Sequence, residues 1–450
     1  MSIKHIGPRV LTQAFRSLKT RNYRLFWFGQ LVSLTGTWMQ DVALGWLVLS
    51  LTDSAVALGL TMTIRFLPAL LFSLHGGVLA DRLPKRRTLI VTQVTQLAVA
   101  LALAVLYSTE LVTVTIIYVL AGLRGLVDAI EGPTRQAFVP EMVGTTDLPN
   151  AVALNSTLFN GARIVGPAIA AVVISTLGMA ACFYVNAVSF AAVIAGLAAM
   201  RLTELHAVPR APRDKALRQL REGLRYARST PEVVVIFIVM AAVGTFGYNF
   251  QTTIPLVTKY VLVAGPSTLA LLFSSMGAGS VLAGLVAAYR GKPSQRLLLG
   301  AAGCFVVLLA LAGLSVWRAV TAALLLLVGF AGVLCMTAAN TRLQLQVPGH
   351  LRGRVMGIYI LLFIGMTPIG SFLCGQLAEH VGGGGATGVR ATVLITAGLC
   401  AVGVVTAFIY ARRPASRAQA GLRPEPAFSA DAEQWTAVSA DDLERGRGTA

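Results

Sequence analysis

The 450-residue chain is 56% hydrophobic and only 12% charged, with a mean hydropathy of +0.72. A water-soluble protein needs a polar surface, and the polar residues of this chain are too few to cover one. The composition therefore excludes a soluble globular protein and predicts an integral membrane protein. The net charge of +18 would suit nucleic-acid binding, so its distribution along the chain has to be considered.

Twelve apolar runs follow a basic N-terminal segment, residues 1–24. Each run is long enough for a helix of about 20 residues, which crosses about 30 Å of hydrocarbon. The runs are continuously apolar rather than alternating, so they predict helices and not a barrel. The predicted helices span residues 25–50, 55–80, 89–108, 112–131, 153–176 and 178–200, and then 233–257, 268–289, 297–316, 320–341, 355–377 and 391–411.

The distribution of basic residues predicts the orientation in the membrane. Of the 37 Lys and Arg residues, 31 fall in segments that this topology places on the cytoplasmic side, and three fall on the outer side: Lys259, Arg318 and Arg390. This bias follows the positive-inside rule and predicts cytoplasmic N- and C-termini. Most of the basic charge is thereby a topology signal, and nucleic acid is not an expected partner.

Two polar segments lie outside the predicted helices. Residues 201–232 contain Leu and Ala at helical spacing with arginines between them, which predicts a basic amphipathic linker on the cytoplasmic membrane surface. Residues 412–450 are rich in Arg, Pro, Ala and acids, and they are predicted to form a disordered cytoplasmic tail without an assigned function.

Several landmarks recur about 207 residues apart, which indicates an internal repeat. The run from Gly77 to Arg87 is matched by a run from Gly284 to Lys292, and Thr134–Arg135 is matched by Thr341–Arg342. Each match falls in the corresponding loop of its half. The predicted fold is therefore an all-α integral membrane protein with twelve transmembrane helices in two pseudo-symmetric six-helix bundles, residues 25–200 and 233–411.

The run after the second predicted helix resembles the signature loop of major facilitator superfamily transporters. It contains Gly77, Asp81, Arg82, Lys85, Arg86 and Arg87, with Pro84 where the family usually has glycine. The segment from Arg21 to Gln40, the run P-T-R-Q-A-F-V-P-E-M-V after the fourth helix, A-R-I-V-G-P in the fifth and L-R-G-R-V-M-G before the eleventh are similar to the bacterial drug:proton antiporter group. That group includes macrolide efflux pumps and enterobactin-type exporters.

The resemblance covers about residues 15–410. It implies a monomeric transporter of the bacterial inner membrane, with a small-molecule substrate, protons and the lipid bilayer as partners and no cofactor. It also implies a cytoplasmic gate at the signature loop. Asp81 would accept hydrogen bonds from the N-terminus of helix eleven, where the helix dipole favours an anion. Arg86 or Arg87 would pair with Glu131. The alternative is a basic loop that serves topology only.

Six ionisable residues fall in or at the ends of the predicted helices, all in the first half: Asp41, Arg65, Arg124, Asp128, Glu131 and Arg163. A charge at the bilayer centre costs about 3 kcal/mol, so we expect these groups to be paired or to line water. Asp41 and Arg65 each lie twelve residues from Asp53 in the outer turn, on opposite sides of it, so they are predicted to meet about 18 Å below that turn. Arg124 and Asp128 share a helix face, and Arg163 is predicted to reach Asp128 or Glu131.

Two interpretations of these charges remain open. They are either internal salt bridges or groups that couple transport to protons. Asp41 and Asp128 lie on helices one and four, which line the cavity in the superfamily, so Asp41, Arg65, Arg124, Asp128 and Arg163 are the candidate transport and proton-coupling residues. The helix-four arginine motif of the superfamily has Gln and Gly where this chain has Val127 and Asp128.

Gly166 and Pro167 in helix five resemble the glycine-proline motif of antiporters. Proline removes a backbone hydrogen bond and glycine permits close packing, so the pair predicts either a bend or a packing contact. Aromatic and Met side chains of helices one and seven are possible substrate contacts, although core or lipid-facing positions are favoured for them: Trp38, Met39, Phe246, Tyr248 and Phe250.

The predicted function is secondary active transport by alternating access, in the form of a proton-coupled exporter of small amphipathic molecules resembling drugs or siderophores. The alternatives are an importer or uniporter of a small metabolite and a membrane sensor with a transporter fold. ATP drive, enzyme activity and a metal site are not expected, because no P-loop, no metal-ligand spacing of the five histidines and no nucleophile elbow is found in the sequence.

Overall fold

The computed structural model describes residues 15–206, 216–291 and 293–412, except for the side chains of residues 73–82, 160, 216–220, 290, 350 and 364. The part of the chain so described is helical and contains no strand. Its α-helices are α1 Arg21–Thr52, α2 Ala55–Arg82, α3 Lys85–Ser108, α4 Val114–Leu177, α5 Met179–Ala198, α6 Ala216–Ser229, α7 Pro231–Ala242, α8 Phe250–Leu256, α9 Pro266–Arg290, α10 Gln295–Leu314, α11 Arg318–Gln346, α12 Gly349–Ile360, α13 Thr367–His380 and α14 Gly385–Ala411.

The helices have the length, composition and outward-facing side chains of membrane spans. Within the described residues, ten helical stretches are long and apolar enough to cross a bilayer. Large apolar side chains cover the outside of the protein, such as Val119, Val188 and Val402, which are 65%, 71% and 64% exposed. Lipid is the environment in which such a surface is stable. The chain is therefore a multi-pass membrane protein, and the count of twelve spans stays a prediction because α1 is not among the ten and α4 counts once.

The helix α4 contains two arms that meet at Gly144, whose φ of 70° is available to glycine without strain. The prediction of a loop over residues 132–152 is wrong, because the chain is helical on both sides of Gly144. Phe138, Val139 and Met142 are buried in a cluster that also contains Tyr23. Hydropathy did not reveal this stretch because it is amphipathic rather than continuously apolar. Its arms are called α4a (residues 114–143) and α4b (residues 145–177).

Two of the predicted helices, residues 233–257 and 355–377, are interrupted. A π-helical turn, Val243–Gly247, follows α7, and Tyr248 and Asn249 leave the helix before α8 begins. A second π-helical turn, Leu361–Gly365, separates α12 from α13. The two turns touch, since a Cβ on Gly244 would lie 2.5 Å from the Phe363 carbonyl oxygen. Within the break, the Asn249 amide donates to the Thr245 carbonyl at 2.7 Å, which satisfies a backbone group in an apolar setting.

Two seams join helices α1–α5 to helices α7–α14. At the first seam, α2 packs on α13, and a Cβ on Gly59 would lie 2.9 Å from the Gly375 Cα. At the second, α4b packs on α9, and a Cβ on Gly277 would lie 2.6 Å from Ile164 Cγ1. Small residues allow this close approach of helices in membranes. In the numbering of the twelve predicted helices, the first seam joins helices 2 and 11 and the second joins helices 5 and 8. Helices 2 and 8 hold the same place in the two halves, and so do helices 5 and 11, so the two seams are equivalent, in agreement with the internal repeat.

The amphipathic helix predicted in the linker is present as α6. It packs on α12, where Gly223 lies against the backbone of Arg354 and Glu222 forms an ion pair with Arg354. The rest of the predicted linker at residues 207–215 and the predicted tail at residues 413–450 lie outside the described residues. The location of α6 on a membrane surface stays a prediction.

Candidate transport site

A buried ionic cluster ties α1, α2 and α4a together. Asp41 Oδ1 accepts hydrogen bonds from Arg65 Nη1 at 2.8 Å and from Arg124 Nη1 at 3.0 Å. The side chains of Asp41, Arg65 and Arg124 are 5%, 7% and 6% exposed. The predicted meeting of Asp41 with Arg65 is confirmed. A single carboxylate holds two guanidinium groups, so this triad carries one net positive charge.

Asp128 lies one turn after Arg124 on the same helix but is bound by a different group. Its Oδ1 accepts a hydrogen bond from Gln96 Nε2 of α3 at 2.7 Å. Asp128 forms no ion pair within the part of the chain that the structure describes. The reason is that the Arg124 guanidinium turns towards Asp41. Arg65 still interacts electrostatically with Asp128.

A polar cavity of about 190 Å³ adjoins the triad. Glu131 lies on its wall with Asp128, near the Gln93 side chain and the charge of Arg135. The Arg135 guanidinium also donates to Gln30 Oε1 at 3.2 Å. The cavity is lined by residues of α1, α3, α4a, α4b and α5: Gln30, Ser33, Leu34, Thr37, Gln96, Arg124, Asp128, Glu131, Gly132, Arg135, Phe159 and Phe190.

The signature run makes other contacts than those predicted. Arg86 Nε and Nη2 donate to the carbonyl oxygens of Leu197 and Ala198 at 2.6 and 2.9 Å, so Arg86 caps the end of α5. Lys85 Nζ instead forms an ion pair with Glu141 Oε1 at 2.6 Å.

The predicted pairing of Arg86 with Glu131 is therefore wrong, because Arg86 instead donates to the C-terminal carbonyls of α5, which need donors. Within the described side chains, Arg87 makes no ion pair with Glu131 either. The side chains of Gly77, Asp81 and Arg82 lie outside the described part of the structure, so the predicted contact of Asp81 with helix eleven stays a prediction.

Arg163 on α4b is 8% exposed and lies at the boundary between the halves. Its guanidinium carbon lies 6.0 Å from the ring centre of Trp38 and 5.6 Å from that of Tyr248. The predicted pairing with Asp128 or Glu131 is wrong, since among the described residues Arg163 has no carboxylate partner. The aromatic rings of α1 and of the α7–α8 break occupy its surroundings instead.

Gly166 and Pro167 lie in a packed part of α4b. A Cβ on Gly166 would lie 2.5 Å from Trp38 Cβ and 2.8 Å from the Thr35 carbonyl oxygen of α1. The helix stays continuous through Pro167, and the non-helical residue of α4 is Gly144. The packing interpretation of this pair therefore has direct structural support.

Sequence reasoning missed a set of contacts between the halves at the end that the predicted topology places outside. Glu379 at the end of α13 accepts hydrogen bonds from the Ser54 hydroxyl and the Val56 amide at 2.6 and 2.8 Å. Asp53 forms an ion pair with Lys259, and its carbonyl accepts a bond from the Tyr260 hydroxyl at 2.6 Å. The sequence does place acidic and basic residues at these loop ends, but it does not show which acid contacts which partner.

The fold, the two seams and the buried charges define a membrane transporter. The family model described as transmembrane secretion effector matches residues 12–431, and the chain belongs to this family of the major facilitator superfamily. The proteins of this family and the relatives described next are membrane transporters rather than enzymes.

Curated relatives align over most of their length. The staphyloferrin A transporter of Staphylococcus aureus (strain NCTC 8325 / PS 47) is 28% identical, over 80% of this chain and 90% of its own. The multidrug efflux pump Tap of Mycolicibacterium fortuitum is 28% identical, over 86% and 95%. Macrolide efflux protein A of Streptococcus pyogenes is 23% identical, over 82% and 92%.

Solved structures confirm the fold. A bacterial homologue of the human lysosomal transporter Spinster, in an inward-facing and unoccupied conformation, superposes with a TM-score of 0.69 at 13% identity, over 87% of this chain and 97% of that one. The POT family transporter PepTSo superposes with a TM-score of 0.67 at 14% identity, over 87% of this chain and 98% of that one.

Proposed function

We propose that the protein is a proton-coupled exporter of small amphipathic molecules in the bacterial inner membrane, with both termini in the cytoplasm. The observation that carries this proposal is Asp128, a carboxylate on the wall of a polar cavity that has no ion pair among the described residues and lies next to a triad with one net positive charge. The functions of the relatives, multidrug and macrolide efflux and staphyloferrin A transport, support a small-molecule substrate.

The hydrogen bond from Gln96 suits a carboxyl group that gains and loses a proton. An amide group carries both a donor and an acceptor. Ionised Asp128 accepts from the Gln96 NH₂ group, as observed, at 2.7 Å. Protonated Asp128 would donate to the Gln96 oxygen after rotation of the amide. Both states thereby keep a hydrogen bond inside the membrane, where an unsatisfied polar group is costly.

Asp41 has a different role in this proposal. It is held by two arginines, and loss of its charge would leave two buried cations without their ion-pair partner. Asp41, Arg65 and Arg124 therefore form the fixed charge that neighbours the exchanging group, and Asp128 is the residue that exchanges. If one proton enters for each molecule that is exported, the membrane potential would supply about 2.3 kcal/mol per 100 mV.

The arrangement of contacts between the halves supports an alternating-access cycle. Most of the polar contacts that join the two halves, among the residues described, lie at the predicted outer end, at Asp53, Ser54 and Glu379, and the Thr63–Pro368 hydrogen bond lies further along the α2–α13 seam. We assign this arrangement to the state that is open to the cytoplasm. Opening to the outside would then require these contacts to break as new ones form at the signature loop.

The test is efflux of a lipophilic xanthene dye, a cationic ethyl ester, from cells and its uptake into everted vesicles, with and without a proton uncoupler. We expect transport by the wild type that the uncoupler abolishes, and loss of this uncoupler-sensitive part in Asp128→Asn. Glu204→Gln, which removes an exposed acid outside the spans, is the matched control and should behave as the wild type. Transport that neither the uncoupler nor Asp128→Asn alters would refute proton coupling and favour a uniporter.

A further inference from the structure

Arg163 is an arginine buried within the membrane region, and it has no counterion in the part of the chain that the structure describes. It is 8% exposed, and no hydrogen bond or carboxylate contact from it is found among the described residues. The other two arginines in the spans of this half, Arg65 and Arg124, both bind Asp41. A buried unpaired cation is costly, and within membranes such residues face a cavity or a functional pathway.

The groups around Arg163 come from both halves of the protein. Trp38 belongs to α1, and Tyr248 lies in the break between α7 and α8. The Tyr248 hydroxyl is buried and has no hydrogen-bond partner in the described part of the chain. Its ring packs edge-on against Phe250 and Phe363 at 5.1 and 4.9 Å. A cation that has ring contacts but no counterion among the described residues therefore lies beside an aromatic wall, together with a hydroxyl group that has no hydrogen-bond partner there.

The polar cavity begins one helical turn from Arg163. Phe159, four residues earlier on α4b, lines that cavity, and its ring lies 5.8 Å from that of Trp38. Broken helices at the boundary of the two repeats are where substrates of such transporters bind. The α7–α8 break that carries Tyr248 has this character. The cavity itself is lined by residues of the first half, and Arg163 lies between it and the α7–α8 break of the second half.

We infer that Arg163 and Tyr248 recognise a carboxylate of the transported molecule, whose apolar part lies against Trp38 and the aromatic wall behind Tyr248. This inference rests on the proposed transport function. The guanidinium offers two parallel N–H donors that match the two oxygens of a carboxylate. The tyrosine hydroxyl supplies a third donor. Binding would neutralise the buried charge and link the two halves through one ligand.

The experiment measures binding by fluorescence polarisation to the purified full-length protein in detergent. The probes are two xanthene dyes with the same ring system, one with a free carboxylate and one as its ethyl ester. A charge-assisted hydrogen bond contributes about 1.5–3 kcal/mol, so the wild type should bind the carboxylate dye at least about tenfold more tightly than the ester. Arg163→Gln should remove this preference, and Tyr248→Phe should reduce it.

Two further variants serve as controls. Arg163→Lys keeps the charge but loses the two-pronged geometry, so we expect an intermediate preference. Arg318→Gln removes an exposed arginine at the start of α11 and should bind both dyes as the wild type does. Thermal unfolding of each variant shows whether it is folded. If Arg163→Gln does not fold, the lysine and Tyr248→Phe variants provide the comparison.

Equal affinity of the wild type for the two dyes, absence of carboxylate-dye binding, or a preference that persists without Arg163 would each overturn the inference. Its failure is distinguishable from failure of the proposed function, because binding in detergent requires no proton gradient. A carboxylate preference together with uncoupler-insensitive transport would leave this inference standing and refute the coupling. Uncoupler-sensitive transport of the ester with no carboxylate preference would support proton coupling and refute this inference.

Discussion

The Glu379 carboxylate at the end of α13 accepts a hydrogen bond from the Ser54 hydroxyl at 2.6 Å, and so one half of the protein caps a helix of the other. The same oxygen accepts the Val56 amide at 2.8 Å, within the first turn of α2. A carboxylate at this position satisfies free N–H groups and interacts favourably with the helix dipole. The cap can form only while the two halves meet at this end.

Removal of the cap should shift the protein towards a state that is open at the predicted outer end. Loss of a helix-capping side chain costs about 1 kcal/mol, or about a fivefold change in population. We expect Glu379→Ala to increase the labelling rate of Thr63→Cys by a membrane-impermeant maleimide by this factor. Thr63 suits the measurement because its hydroxyl contacts the Pro368 carbonyl across the seam at 3.0 Å.

Glu379→Gln provides the graded comparison, since its amide oxygen still accepts both hydrogen bonds but without the charge. Its labelling rate should lie between those of the wild type and the alanine variant. The five native cysteines are replaced in the background used for labelling. Unchanged labelling in Glu379→Ala would show that the cap does not hold this end closed.

The buried triad predicts an unequal response to substitution of its members. Asp41→Asn leaves both Arg65 and Arg124 without their ion-pair partner, whereas loss of either arginine leaves one complete ion pair. Breaking a buried pair costs about 3–5 kcal/mol. We therefore expect Asp41→Asn to lower the thermal unfolding temperature of the purified protein more than Arg65→Gln or Arg124→Gln does.

The reference variant for the triad is Glu204→Gln, where an exposed ion pair with Arg201 is lost and little change is expected. A destabilisation by Arg65→Gln that equals that of Asp41→Asn would contradict the shared-counterion arrangement. An Asp41→Asn protein with the unfolding temperature of the wild type would contradict this arrangement as well.

Much of the fold could be predicted from the sequence because hydropathy reports burial in lipid directly. The meeting of Asp41 with Arg65 followed from their equal distance to the turn at Asp53, which is a consequence of the constant rise of a helix. The family followed from the signature run and its companion motifs. These inferences depend only on local pattern and helix geometry.

The parts that could not be predicted depend on side-chain direction and on contacts between distant segments. Arg163 was expected beside Asp128 or Glu131, and this was wrong because depth along a helix does not tell on which face of the helix a residue lies. The interruption at Tyr248 and Asn249 is hidden within an apolar run. The partner of the signature run, Glu141, lies on an amphipathic stretch of α4 that hydropathy had assigned to a loop.

Two glycines of α4b should respond in opposite ways to the same substitution. A Cβ on Gly166 would meet Trp38 and the Thr35 carbonyl oxygen at 2.5 and 2.8 Å, whereas a Cβ on Gly161 would meet nothing within 4 Å. Overpacking costs about 1–3 kcal/mol, so Gly166→Ala should lower the unfolding temperature. Gly161→Ala should raise it slightly, because alanine favours a helix by about 1 kcal/mol over glycine. Equal effects in thermal unfolding would contradict the close contact of α4b with α1.

The ion pair of Lys85 with Glu141 predicts rescue by charge exchange. The two side chains are 19% and 22% exposed, and they join the start of α3 to the end of α4a. Lys85→Glu would place two carboxylates together at this junction, and we expect a reduced initial rate of dye efflux in cells. Adding Glu141→Lys restores an attractive pair, so the double variant should regain most of the rate, with a coupling energy of about 1 kcal/mol or less.

The comparison for this exchange is the pair of Arg201 with Glu204, whose side chains are 63% and 38% exposed. Exchange of these charges should leave efflux unchanged, because exposed pairs contribute little. A double variant at positions 85 and 141 that is no faster than Lys85→Glu alone would mean that the contact has no part in transport. In that case the basic residues of the signature run would serve membrane topology, and the cap of Arg86 on the carbonyl oxygens of α5 would be the remaining structural role of this segment.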